Sequence, residues 1–231
     1  MGKKHLTIRM IAGVFYICGL LFAAYIGILM LKGNFMFNMS GLIICALGVC
    51  IPIAIATFLL ILTMNEIDKR IRIMNVYVLI IFVFYIMLLM NILFRNGYRQ
   101  YGAVNTISMT EYFKWSVNYI PFITIGKYVQ SFFNDSMNRS IIIENLLGNL
   151  LLFAPMGILL PCIFQGLRKF SKIFLTMLII LVGVELAQMF TRTGSCDIDD
   201  IILNLLGTSL AYGLWSLIVI QKVLRRIYFI K

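Results

Sequence analysis

The stretch I-M-N-V-Y-V-L-I-I-F-V-F-Y-I-M-L-L-M-N-I-L-F, residues 73–94, holds no Lys, Arg, Asp or Glu. As a helix rising about 1.5 Å per residue it would cover about 33 Å, enough for the roughly 30 Å hydrocarbon core of a bilayer. Basic residues flank it, with Lys69, Arg70 and Arg72 before it and Arg95 after it. Five further apolar runs lie outward from it, at about 10–31, 39–64, 141–163, 173–190 and 201–220, the run at 173–190 being the shortest. Aliphatic and aromatic residues make up 61% of the 231-residue chain and charged residues 13%, so little sequence is left over for a soluble domain. The expected fold is all-α, a polytopic transmembrane helical bundle of about six spans.

Basic residues set the expected orientation. Lys3, Lys4 and Arg9 precede span 1, Lys69, Arg70 and Arg72 follow span 2, Arg168, Lys169 and Lys172 follow span 4, and four come after span 6. That places thirteen on one side, against seven at Lys32, Arg95, Arg99, Lys114, Lys127, Arg139 and Arg192, so both termini are expected in the cytoplasm. The basic start resembles that of a signal peptide, but the apolar run is too long and lacks a small-x-small cleavage site, so it is expected to remain as the first helix. A net charge of +11 would suit nucleic acid if it were clustered. Here it is dispersed among loops and helix ends, which fits anionic lipid headgroups and gives no reason to expect a nucleic-acid partner. Cys18, Cys45, Cys50 and Cys162 fall inside apolar runs, and only Cys196 lies in a polar external segment. That pattern supports neither a disulfide framework nor a zinc site.

Residues 1–72 are expected to form a two-helix hydrophobic hairpin joined by K-G-N-F-M-F-N at 32–38, residues 73–220 a four-helix membrane domain with an external loop at 95–140, and residues 221–231 a basic cytoplasmic tail. In span 1, Gly19, Ala23 and Gly27 recur every four residues and offer a groove for a neighbouring helix. The 95–140 connection carries Tyr112, Phe113, Trp115, Tyr119 and Phe122 in runs too short to span, as expected of a segment at the membrane interface.

Most of the ionisable chemistry lies in E-L-A-Q-M-F-T-R-T-G-S-C-D-I-D-D-I-I-L-N, residues 185–204. Such groups are costly within hydrocarbon, about 2.5–3.5 kcal/mol each at mid-depth, so they mark a functional-site candidate. Three stretches fall toward the external side. Span 4 begins with Glu144, Asn145, Gly148 and Asn149; span 5 ends with Glu185, Gln188 and Arg192 at helical spacing; Asp200, Asn204 and Gly207 repeat that spacing on span 6. Asp197 or Asp199 could simply cap the last helix, and the asparagines could fasten helices by interhelical hydrogen bonds. Glu185, about 18 Å along its span, has no capping role, and Arg192 is its nearest cation in sequence.

The motifs N-x-I-P-F-x-T-I at 118–125, E-N-L-L-G-N-L-L-L-F-A-P-M-G at 144–157 and E-x-x-Q…G-x-x-D-I-D-D-I-I-L-N-x-x-G from 185 to 207 resemble the VanZ-like membrane proteins over roughly residues 75–220. The resemblance implies a compact helical integral membrane protein of the bacterial cytoplasmic membrane. It also implies a link to teicoplanin resistance, with which the family's founding member is associated. The positions carried over are Asn118, Pro121, Phe122, Asn145, Gly148, Asn149, Phe153, Pro155, Gly157, Glu185, Gln188, Arg192, Asp197, Asp199, Asp200, Asn204 and Gly207.

The sole histidine, His5, lies in the cytoplasmic tail, away from the cluster, which removes Ser-His-Asp and Cys-His catalysis. Three chemistries stay open. Asp197, Asp199 and Asp200 could hold a hard divalent cation such as Mg²⁺ or Ca²⁺; Glu185, Asp199 or Asp200 could act as acid or base on a lipid-linked envelope precursor; or Asn118, Asn145, Asn149, Glu185, Gln188, Arg192, Asp197, Asp200 and Asn204 could bind, without reaction, an amphiphile such as a membrane lipid, a lipid-linked precursor or an acylated glycopeptide. Arginine suits phosphate, yet carboxylates outnumber arginines within the cluster. A phosphate ligand would need a bridging cation there and an ammonium ligand would not.

Overall fold

In the computed structural model, which describes residues 2–32, 39–100 and 108–226, the chain is an all-α polytopic bundle as expected. Its helices are α1 (Gly2–Lys32), α2 (Met39–Leu62), α3 (Ile67–Gln100), α4 (Met109–Ser116), α5 (Ile123–Phe133), α6 (Arg139–Leu152), α7 (Ala154–Ile163), α8 (Phe170–Thr191), α9 (Ile198–Ser216) and α10 (Ile218–Arg226). Two short strands, β1 (Val117–Asn118) and β2 (Cys196–Asp197), pair in parallel. The hairpin turn at 33–38 and the piece of the 95–140 connection at 101–107 lie outside the described residues, as do the side chains of Arg95 and Arg99.

Among the described residues, five segments are each long and apolar enough to cross a membrane: Lys4–Lys32, Ile44–Leu62, Ile67–Phe94, Arg139–Ile163 and Phe170–Thr191. The sixth run differs from the straight span expected at 201–220, since it reaches spanning length and hydropathy only as the bent pair of α9 and α10. Helix α9 ends at Ser216, the backbone turns at Leu217, and α10 leaves at 70°. Gln221 Nε2 donates to the Trp215 carbonyl across the break at 2.7 Å. Beyond the bend, Lys222, Arg225 and Arg226 share α10 with exposed Ile218, Val219 and Val223, the pattern of a helix lying in an interface.

Packing groups Met1–Leu88 with Lys222–Lys231, and Leu89–Gln221 separately. In the first unit, Ile26, Met30, Cys45, Val49, Ile53 and Phe84 form one buried cluster. Gly19 lets α1 meet Ile53 and Pro52 of α2, Gly27 faces Met87, and Tyr16 Oη and Thr57 Oγ1 pair at 2.8 Å. Arg9 Nε donates to Thr63 Oγ1 at 3.3 Å, tying the start of α1 to the end of α2.

In the second unit α9 packs against α6, α7 and α8. The fourth span is broken at Phe153, whose backbone (φ −101°, ψ 0°) leaves the helix just ahead of Pro155. Proline has no N–H to continue the ladder. The Phe153 carbonyl is taken up by Met156 N at 3.0 Å and by Thr208 Oγ1 of α9 at 3.1 Å. Backbones approach closely on both sides of the break: Gly157 lies against α9, where a Cβ would meet Tyr212 N at 2.8 Å, and Gly207 lies against the Leu150 carbonyl.

Candidate functional site

Helix α5 starts without a cap of its own. Its N-cap position is Phe122, which has no side-chain acceptor and sits in the left-handed region at φ 67°. The acceptor comes from the far end of the sequence. Asp199 Oδ1 takes the Phe122 N–H at 2.6 Å, and Oδ2 takes those of Thr124 and Ile125 at 2.8 and 3.0 Å. Asp199 is fully buried, and all three of these donors are backbone amides, so its charge is stabilised as at a helix N-terminus, but in trans.

Asp197 does two further jobs. As N-cap of α9 it accepts the Asp199 N–H on Oδ1 at 2.9 Å, the capping role expected from sequence. It also accepts Asn118 Nδ2 on Oδ1 at 2.9 Å and Thr124 Oγ1 on Oδ2 at 2.6 Å. The pairing of Val117 with Cys196 and Asn118 with Asp197 completes a clasp that holds segment 117–125 over the start of α9. Short helix α4 is fastened to the same turn: Tyr112 Oη donates to the Gly194 carbonyl at 2.6 Å, and Phe113 packs edge-on against Phe190. The clasped segment leaves Trp115, Tyr119, Ile120 and Phe122 exposed, consistent with an interfacial placement.

A second polar group lies below the clasp. Asp200 Oδ1 accepts Asn149 Nδ2 of α6, and Glu185 Oε2 of α8 accepts the Asp197 N–H at 3.0 Å. Asn204, one turn along α9, donates Nδ2 to the Asp200 carbonyl at 2.8 Å. Asn149 is ten residues into α6, so Asp200 meets it about 15 Å along that helix. The start of α9 is therefore level with the last turn of α6, near the middle of the broken span Arg139–Ile163, and is recessed from the start of that span. Water is scarce at such depth, which is why the aspartates there are supplied with amide donors.

The other expected site residues are placed elsewhere. Asn145 is exposed and folds its Nδ2 back onto the Ile141 carbonyl at 2.8 Å, because the face of α6 turned inward runs through Ile142, Asn149 and Phe153. Gln188 donates to the Leu93 carbonyl of α3 at 3.0 Å. Arg192 leaves the Glu185–Gln188 stripe because α8 ends at Thr191 and Arg192 takes a left-handed C-cap conformation, φ 55°. Its Nε lies 3.1 Å from Met109 Sδ, and its guanidinium stands over the Tyr112 ring at 5.7 Å. Neither Glu185 nor Asp200 has an ion-pair partner among the described residues. Among those residues, too, no three His, Cys, Asp or Glu side chains are grouped as a metal site, since Asp197 and Asp199 direct their oxygens at N–H and O–H donors.

Sequence inspection missed Thr124, Thr208, Tyr112 and the three backbone amides held by Asp199. One signal was available: a helix beginning just after Pro121 with Phe at its N-cap must borrow an acceptor from another element.

Cys196 lies between spans, and burial first, then the Glu185 and Asp197 carboxylates, push its thiol above the ordinary range. Alkylation at neutral pH is expected to be slower than at a cysteine introduced at exposed Ser136, and to gain rate as pH rises through the raised value. A rate–pH profile matching that of the Ser136→Cys thiol would contradict this.

The VanZ/LLP1 family model matches residues 82–219. Protein VanZ of Enterococcus faecium is 28% identical over 126 residues, covering 53% of this chain and 68% of that protein. No solved structure matches. With α4 to α9, the clasp and the acidic turn all inside the matched region, the chain belongs to the VanZ/LLP1 family of multi-pass membrane proteins.

Proposed function

We propose that this protein resides in the bacterial cytoplasmic membrane with its polar turn toward the outer leaflet. There it binds the headgroup of an amphiphile, a lipid-linked envelope precursor or an acylated glycopeptide, and lowers susceptibility to lipoglycopeptides such as teicoplanin. The observation that carries this is that Asn149 of α6 and Glu185 of α8 both bond to the start of α9, at Asp200 and at the Asp197 amide, beneath an aromatic interfacial segment. Charge asymmetry supports the outward side, and similarity to Protein VanZ supports the link to resistance.

Expression in a susceptible host tests it. The wild type is expected to raise the inhibitory concentration of teicoplanin. Glu185→Gln and Asp200→Asn should each return it to that of cells without the protein, at equal membrane abundance. Undiminished protection by the double variant would refute a role for the cluster. The same two carboxylates, on neighbouring helices and without a cation partner among the described residues, also suit acid–base work. A modified lipid-linked precursor formed by purified wild type and lost in Glu185→Gln would make the protein an enzyme.

A further inference from the structure

Resting on that headgroup-binding role, we propose that the group received by Glu185, Asp200 and Asn204 is a primary ammonium. Asn204 Oδ1 is buried and has no hydrogen-bond partner, although the residue is only 4% exposed. It belongs to the face of α9 turned to α6, since Asp200 on one side meets Asn149 and Thr208 on the other meets Phe153. The amide Nδ2 is committed to the Asp200 carbonyl, so what Asn204 has left to offer is an acceptor. Glu185 and Asp200 are likewise acceptors, each with one carboxylate oxygen engaged and the second left over: Oε2 of Glu185 holds the Asp197 amide, and Oδ1 of Asp200 holds Asn149.

A site made of leftover acceptors calls for a donor. Phosphate or carboxylate would bring a further anion to two carboxylates that have no cation partner among the described residues. A hydroxyl donates one hydrogen bond and brings no charge. An ammonium brings three donors and one positive charge, which suits acceptors of this kind and offsets carboxylates that have no cation partner among the described residues. Asp197 and Asp199 do not compete for it, because their oxygens are taken by the clasp.

Full-length protein in phosphatidylglycerol nanodiscs tests this by native mass spectrometry with three probes: phosphatidylethanolamine, its N-acetyl derivative, and an N-acylated peptide with one lysine. At least one amine probe is expected to be retained about tenfold over the N-acetyl lipid, a difference of about 1.4 kcal/mol. Retention of phosphatidylethanolamine alone identifies an aminophospholipid source, and of the lysine peptide alone a peptide amine. Glu185→Gln and Asp200→Asn, each checked by melting temperature, should bring the amine probes down to the N-acetyl level. The comparison within wild type stands even if a variant fails to fold. Equal retention of amine and N-acetyl probes, still lost in Asp200→Asn, overturns the ammonium while leaving headgroup binding in place. Retention of no probe overturns both.

Discussion

Asp199→Ala is expected to be the most damaging single change in the carboxylate cluster, preventing normal accumulation of the protein. Its carboxylate is the acceptor for the amides of Phe122, Thr124 and Ile125, and no water is at hand to replace it at a fully buried position. Stranding partners of a buried charged network costs about 3–5 kcal/mol, a large part of the roughly 5–15 kcal/mol that holds a typical domain folded. Melting temperature in detergent and membrane abundance should both fall sharply. Asp199→Asn should be intermediate, since its amide oxygen can still accept while its NH₂ faces donors. Asp200→Asn should melt near the wild type because an amide oxygen can still take Asn149 Nδ2. An Asp199→Ala protein as stable as wild type would show that the clasp does not hold segment 117–125.

Gly207→Ala is the second large effect. A methyl group there would be driven into the Leu150 carbonyl, and backbone cannot swing aside as a side chain can. Overpacking of this kind costs about 1–3 kcal/mol, sometimes more. It would also push α9 from α6 and so part Asp200 from Asn149. Gly148→Ala supplies the contrast. Nothing lies within 4 Å of a Cβ at that position, so alanine should be neutral or stabilise α6 by about 0.5–1 kcal/mol through helix propensity alone. Thermal melts of the two variants decide it; equal melting would contradict the close α6–α9 contact.

The spans were legible from sequence because a bilayer demands long runs without charge, as at 73–94, and the helices follow those runs closely. The capping role of Asp197 was legible because N-caps are local. What escaped was non-local or fell at a helix end. Asp199 caps a helix that begins 76 residues earlier, at Ile123, and periodicity within one segment cannot reveal that. Asn145 and Asn149 are offset by only about 40° around α6, but the buried face runs through Ile142 and Asn149 and leaves Asn145 at its exposed edge. Arg192 was placed by extending the helical stripe of Glu185 and Gln188 past the residue where α8 ends. The bend at Leu217 carried no proline or glycine at the turn itself to announce it.

If the acidic turn faces outward, as proposed, and is clasped by segment 117–125, strands β1 and β2 must lie side by side within reach of a reagent applied from outside. Cys196 offers a direct test, because its register partner is Val117. In Val117→Cys, a short membrane-impermeant bis-thiosulfonate applied to intact cells is expected to bridge the introduced thiol to Cys196, giving a cross-linked peptide by mass spectrometry. Phe133→Cys should give none. Absence of the bridge in a normally abundant Val117→Cys protein, with both thiols shown to react singly, would contradict the clasp. Bridging only after the cells are permeabilised would contradict its outward orientation.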